Sequence, residues 1–459
     1  MQELENITND YDSDKDISFL CEQCRKYNYI SPRDFRKYHI KRGLRNEDGT
    51  GVLAGITKIC NVHGYIMDEG DKVPAPGKLT YRGYSVEDIV RDCVQGERYG
   101  YEEVAWLLLM GHLPTGRQLD VFRRSLARQR ELPDGFIDDI IIKVPSPNIM
   151  NTMGRSVLAL YSYDENPDDY SLENVVSQSL SIIAKLPTVM MAAYQVKRRT
   201  YDRKSMYFHQ PKPELTIAQN ILRTLRPDKS FTDQEARLLD MCLILHAEHG
   251  GGNNSTFAAR VLTSSATDTY AAISAGIGSL KGPRHGGANL KVKQMIDCVK
   301  EGVKNWSDDD EVSAFLEKIM DKKAGDGSGL LYGMGHAVYT ISDPRAKILF
   351  ERAKELAKGT EYEAQFELCH SVERLAPAVF ARKKGITAPL CANVDLYSGL
   401  VYSLLQIPEE LFTPMFAVSR TVGWCAHRIE ELLTTGGKII RPAYKSVSHK
   451  LDYKPLSER

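Results

Sequence analysis

The chain has 459 residues and carries 60 Lys and Arg against 60 Asp and Glu, a formal net charge of zero. A protein that binds duplex nucleic acid needs surplus cations to displace condensed counterions, and a surface-bound membrane protein needs a basic amphipathic stretch; neither is present. The longest strongly apolar run, Val104 to Met110, falls far short of the roughly 20 residues that span a bilayer. With 42% hydrophobic residues, the composition is that of a soluble protein with a large core, without nucleic-acid or membrane partners. The acidic N-terminus has no apolar h-region and is not Arg-rich. Nine cysteines, an odd number, lie mostly in apolar helical contexts such as Cys242, Cys298, Cys369 and Cys425. Both features point to a reducing, cytoplasmic location.

Residues 1–50 are polar and charged. Gly77 to Val90 alternates and reads as a strand or hairpin that runs into a helix. Helical periodicity dominates from about Ser85 onward. Tyr101 to Met110 is a buried helix ended by Gly111 and Pro114. Thr232-Asp-Gln-Glu235 is a capping box that opens a helix through LHAEH, stopped by Gly250, Gly251 and Gly252. Ser255 caps a further helix to about Leu280, where Lys281-Gly-Pro283 breaks it. Ser307 to Asp310 starts another helix. Pro344 occupies a first helical position behind Ser342 or Asp343, and a long helical block covers Leu411 to Thr435. The Rossmann and P-loop patterns do not occur. The expected fold class is all-α, with a short β element near the N-terminus.

Several positions have the residue types that chemistry uses. His246 and His249 are three apart on one helical face. They could share a metal, although HAEH is not the H-E-x-x-H pattern, and His246 reads more simply as a structural histidine. His285 and His336 sit between glycines, where a ligand can approach the backbone closely. Asp343-Pro-Arg345 is either an ordinary capped helix start or an anion site built from free amides and a guanidinium. Asp395 is an N-cap or a desolvated general base. Arg420 interrupts an apolar helix face, so it needs an anion from the protein or from a ligand. Three His, three Arg (with Arg441) and one Asp suit a small polycarboxylate and proton transfer at carbon. Cys21-x-x-Cys24 and Cys60-x-x-His63 together would make a zinc site, but the gap between the pairs is long and stray thiols are the simpler reading.

At this point a resemblance is specific. LHAEHGGGNNSTFAARV, GSLKGPRHGGAN, GMGHAVYTISDPRA, NVDLYSGLVY and LFTPMFAVSRTVGW, with KLTYRGYSVEDI and EEVAWLLLMGHLPT upstream, resemble citrate synthase of the si-type over roughly residues 41 to 445. The resemblance implies a mostly helical homodimer, with a large domain (41–284 and 402–459) and a smaller one (285–401) that closes over the cleft. Residues 1–40 are an extension without a counterpart. It also implies that acetyl-CoA and oxaloacetate are condensed to citrate and CoA, without cofactor or metal. Asp395 matches the base, His285 the donor to the enolised thioester, and His336 the histidine that polarises the ketone. His249, Arg345, Arg420 and Arg441 match the carboxylate contacts, with Arg441 arriving from the partner subunit. Leu331, Gly333, Gly335, Asn393 and Arg45 match CoA contacts. Three arginines around one dianion imply a concentrated positive pocket.

The sequence departs from the family at Gly250, where many members carry an acid, and at Ala337, where many bacterial members carry Arg. Three rival readings remain: a 2-methylcitrate synthase using propionyl-CoA, a non-catalytic CoA-binding paralogue, and a helical metal-binding protein. One methylene decides only about 1–3 kcal/mol, so sequence does not separate the first rival.

Overall fold

The structure, a computed structural model, describes residues 13–46, 49–69, 71–385, 389–434, 437–448 and 450–459. The chain divides into two compact units, Met1–Ala54 and Gly55–Arg459. The first contains helices α1 (Ser13–Tyr27) and α2 (Pro32–Lys37), the latter capped by the Ser31 side chain. Cys21 and Cys24 are exposed on α1. Arg45 also belongs to this unit, where its guanidinium donates to the Gly49 carbonyl at 3.2 Å.

The second unit opens with the β element. Strands β1 (Cys60–Asp68), β2 (Asp71–Tyr81) and β3 (Tyr84–Ser85) form an antiparallel sheet in the order β1-β2-β3. Cys60 faces Tyr81, and a bulge separates His63 from Tyr65. The sequence reading anticipated only the second half of this sheet. β1 was not legible, because just Cys60 and Gly64 along it are buried and a mostly exposed strand has no clean alternation.

The other regular elements among the described residues are helices. Helices make up 58% of the structure, 17 of them among the described residues. Ser85 caps α3 (Val86–Gln95), and α4 (Tyr101–Met110) ends at Gly111 in the left-handed conformation (φ 88°), as an αL C-cap requires. α5 (Gly116–Arg128) and α6 (Ile149–Leu160) lead to α7 (Leu172–Tyr201). This 30-residue helix is long and apolar enough to cross a bilayer, but 72% of its most apolar window is buried inside the protein. α8 (Ile217–Leu225) and α9 (Asp233–His246) each begin with a complete capping box.

Two helix assignments need correction. α9 stops at His246, so His249 lies in the following loop and not on the same helical face as His246. The stretch expected as one helix to Leu280 is two, α10 (Asn254–Thr263) and α11 (Thr269–Leu280), and α10 is capped by Asn253 instead of Ser255. The break falls at 264–268, where Asp268 caps α11 and Ala266 adopts a positive φ of 61°.

α12 (Ala288–Gly302), α13 (Asp309–Met320), α14 (Pro344–Ala357), α15 (Glu363–Lys384) and α16 (Val394–Leu404) pack largely on one another: α13 on α15, and both α12 and α14 on α16. They meet the remaining helices through α17 (Phe412–Leu433), α9, α3 and β2. α17 is buried nearly all round, including Trp424 and the charged Arg420 and Arg428. It therefore works as a core helix, against which α4, α7, α9, α10 and α11 pack.

The capping box of α9 fixes the helix that delivers the first site residues. The Thr232 hydroxyl accepts from the Glu235 amide at 3.2 Å, and the Glu235 carboxylate accepts from the Thr232 amide at 2.7 Å. Thr232→Ala removes one half of this exchange and should cost about 1 kcal/mol, measured as a lowered urea midpoint at an unchanged slope.

Candidate active site

The candidate side chains arise mainly at helix ends and in the loops beside them. His249 follows the end of α9. His285 lies in the loop after α11. His336 precedes α14, whose second residue is Arg345, and Asp395 is the second residue of α16. Arg420 alone comes from mid-helix. Helix N-termini expose unpaired amides and a positive dipole end, so two of these positions favour negative ligands before any side chain is counted.

A pair of short backbone straps joins the loop carrying His336 to the segment carrying Asp395. The Gly335 amide donates to the Cys391 carbonyl at 2.7 Å, and the Asn393 amide donates to the Gly333 carbonyl at 2.9 Å. Asn393 adds two side-chain bonds. Its amide group donates to the Gly335 carbonyl at 2.9 Å, and its oxygen accepts from the Asp395 amide at 3.0 Å, capping α16. Gly335 holds φ at 83°, where an L side chain would be strained. The two side-chain hydrogen-bonding groups of Asn393 are thus engaged within the protein. Leu331 is buried and Gly333 packs on Leu396 and Val292, so this loop is firmly anchored.

The histidines are held in defined tautomers. His336 Nδ1 accepts from the amides of Val338 (3.0 Å) and Tyr339 (3.1 Å). Its proton therefore sits on Nε2, which becomes a donor. The ring stacks on Tyr339, with centroids 4.7 Å apart, and meets the His249 ring edge-on at 5.1 Å. At His285, the Ser255 amide donates to Nε2 at 3.4 Å and the Ser255 hydroxyl lies at 3.0 Å. An amide N–H can only donate, so Nε2 accepts and the proton sits on Nδ1. Burial, with Arg420 nearby, pulls the pKa of His285 down to about 4. It is a neutral donor at any ordinary pH. His249 is likewise held well below its usual value by burial and by Arg345 and His336, and its buried Nε2 has no hydrogen-bond partner. His246 is buried, its Nδ1 pairing with the Cys242 carbonyl at 2.7 Å while its Nε2 has no hydrogen-bond partner.

The charged groups follow a pattern that the sequence did not reveal. Arg345 is buried and forked onto Asp343, with Nε to Oδ1 at 3.0 Å and the second guanidinium nitrogen to Oδ2 at 2.8 Å. Arg420 has no exposed surface. Its Nε donates to the His246 carbonyl at 2.8 Å, while both terminal nitrogens lack a partner. A guanidinium in that state costs several kcal/mol unless an anion arrives. Burial raises the Asp395 carboxyl to about 6, with Arg345 opposing and Asp343 reinforcing the shift. The site therefore holds a base that is ionised at neutral pH yet appreciably basic.

His249, His285, His336, Arg345, Asp395 and Arg420 come together in one site. Arg441 does not join them within the chain: it is exposed on the segment after α17, which the Ile440 amide ties to the Ser264 hydroxyl at 3.1 Å. Sequence reasoning gave Asp343 and Ser255 roles as helix caps, with Asp343 also in the candidate anion site, and passed over Glu248 and Tyr339. Asp343 and Glu248 were visible as the acids inside DPR and HAEH, and both are buried beside an arginine. The concentrated positive charge expected from the arginines is set beside buried acids. Each buried substrate-side arginine has a buried acid near it.

By its relatives the chain is an acyltransferase that forms a carbon–carbon bond. The chain matches the family profile "Citrate synthase, C-terminal domain" over residues 47–443, and it belongs to the citrate synthase family. Its relatives include the citrate synthase of Haloferax volcanii, 36% identical over 92% of this chain and 99% of that protein. Another is 2-methylcitrate synthase 1 of Corynebacterium glutamicum, 31% identical over 92% and 98%. Among solved structures, the ternary complex of carboxymethyl coenzyme A and oxaloacetate with citrate synthase from Thermoplasma acidophilum superposes with a TM-score of 0.74. It is 26% identical and covers 92% of this chain and 99% of that one.

Arg420→Lys replaces a buried fork with a point charge that cannot reach two carboxylate oxygens. It should weaken binding of small dicarboxylates by about 2–5 kcal/mol, read as the loss of ligand-induced thermal stabilisation.

Proposed function

We propose that the chain condenses acetyl-CoA with oxaloacetate, with Asp395, His285 and His336 carrying the chemistry. The Asp395 carboxylate takes a proton from the methyl carbon next to the thioester. His285 donates Nδ1–H to the thioester oxygen as negative charge builds there. The nucleophilic carbon then attacks the ketone carbon of oxaloacetate, whose oxygen accepts from His336 Nε2–H. Water cleaves the resulting citryl thioester, releasing citrate, CoA and a proton. Arg420 and His249 hold the dicarboxylate, together with Arg345 and with Arg441 of the partner subunit in a homodimer. The reaction needs no redox cofactor, because one carboxylate and two neutral imidazoles supply the proton transfers.

The observation that carries this reading is the pair of opposite tautomers. Two neutral histidines that carry their protons on opposite ring nitrogens, Nδ1 of His285 and Nε2 of His336, suit two carbonyl oxygens that gain charge in turn. CoA would lie along the 331–335 loop and Asn393. Residues 285–401 would act as the smaller domain, closing when the arginines take the dicarboxylate and excluding water until condensation is complete.

Asp395→Asn should lower kcat by more than about 100-fold while oxaloacetate still binds; free-thiol release and calorimetry measure the two separately. An acid limb follows from the raised carboxyl. Asp395 works as the anion, so kcat/KM should fall as pH drops through about 6 and level off above it. A limb near pH 4 would mean that burial does not raise the Asp395 carboxyl, and would leave its role as base to the Asp395→Asn variant.

Relatives of similar identity include 2-methylcitrate synthases, so the acyl group needs its own test. We expect kcat/KM for acetyl-CoA to exceed that for propionyl-CoA; the reverse order would reassign the substrate and leave the catalytic residues in place.

A further inference from the structure

We propose that Glu248 sets the affinity of the site for carboxylate ligands: its buried charge offsets Arg420, so that substrate and product are held less tightly than the guanidinium alone would hold them. This rests on the reading that Arg420 receives a substrate carboxylate.

Glu248 leaves the end of α9 with no exposed surface. Its Oε1 accepts from the amides of His249 (2.9 Å) and Gly250 (2.6 Å), while Oε2 has no hydrogen-bond partner. The carboxylate lies against α17. A methyl group placed on Gly423 would collide with Oε2, and His427 Nε2 is 3.3 Å from Oε1. Gly423 and His427 follow Arg420 by three and seven residues, one face of a helix. The acid is therefore laid along the same face of α17 that presents the guanidinium. It remains a carboxylate: burial pushes it up, but His427 and Arg420 outweigh that and hold it below the usual range.

The two buried arginines meet their acids differently. Asp343 forks Arg345 and occupies its donors. Glu248 makes no hydrogen bond to Arg420, whose terminal nitrogens stay unpaired. Arg420 so keeps its full capacity to grip a ligand carboxylate while its charge is countered through a medium of low dielectric, where such terms reach far. Holding the His249 loop is a separate task that needs only an acceptor for two amides. Glutamine offers the same acceptor at the same length, so Glu248→Gln separates charge from scaffolding.

Removing the charge should tighten anion binding. For Glu248→Gln we expect the KM for oxaloacetate and the inhibition constant of citrate both to fall by about tenfold or more, with kcat lowered as product leaves more slowly. A merely structural role moves both constants upward. Glu248→Asp, which withdraws the charge by one methylene, should shift them in the same direction by a smaller factor. It carries the test if the glutamine variant does not accumulate as folded protein. Constants that stay unchanged or rise in the soluble variants overturn the proposal. Arg420→Gln is the control for the underlying site: if it leaves the KM for oxaloacetate unchanged, the site assignment fails. If it raises that KM while Glu248→Gln does not lower it, only the role of Glu248 fails.

Discussion

A guanidinium without solvent and without partners for two of its nitrogens is the constraint on which this site depends. Arg420 sits in the middle of α17, a helix that the core surrounds, so it cannot turn toward water. Folding places a cation where it is poorly satisfied, and the surrounding structure bears the cost. The His246 carbonyl takes one donor, the Phe416 ring lies 4.8 Å from the guanidinium carbon, and Glu248 supplies opposite charge from the neighbouring loop. What stays unpaired is a two-pronged donor with the geometry of a carboxylate. Stability is spent at a point where a ligand restores it, as expected when a binding site is built before its ligand arrives.

The remaining groups are registered on that cation by backbone, so the chemistry does not depend on flexible side chains finding one another. The straps from Gly335 to Cys391 and from Asn393 to Gly333 join two segments separated by more than fifty residues. They fix the distance between the polarising His336 and the helix that bears Asp395. His336 is further held by two amides of its own loop and by the face of Tyr339. His285 is anchored through Ser255, whose hydroxyl accepts from Trp424 Nε1 at 3.2 Å. Trp424 lies one helical turn beyond Arg420. Donor, cation and core helix are thus joined: His285 and Arg420 are both held on α17, the first through Ser255 and Trp424.

Much of this was legible in the sequence, for reasons that differ by residue. Caps and breakers are local, so Thr232 with Glu235, Gly111 after Met110, and Pro344 after Asp343 marked helix ends accurately. The catalytic candidates stood out because histidines between glycines and an arginine within an apolar helix are costly unless used. Strand β1 was missed because pairing with β2, not its own pattern, makes it a strand. The split between α10 and α11 was missed because both halves are apolar and helical, and the break rests on an aspartate cap that resembles any polar residue in a loop. That Asp343 and Glu248 face arginines was overlooked for a related reason. Asp343 stands two residues from Arg345 and was read as a cap, whereas the pairing of Glu248 with Arg420 exists only in three dimensions, since the two are far apart along the chain.

Charge shows best how the two levels differ. The whole chain balances 60 cations against 60 anions, and that total carries no information about the pocket. Three arginines converging on a dianion suggested a strongly positive cavity, yet the structure pairs Arg345 with Asp343 and sets Glu248 against Arg420. A pocket with two uncompensated buried guanidinium groups would pay a large desolvation penalty when empty, and would hold a tricarboxylate product tightly once formed. Compensation by buried acids eases both problems, and at Arg420 it leaves the two terminal nitrogens unpaired to select the ligand. Any net positive charge must then come from outside this arrangement. Arg441, exposed on the extended segment after α17, has no buried acid set against it.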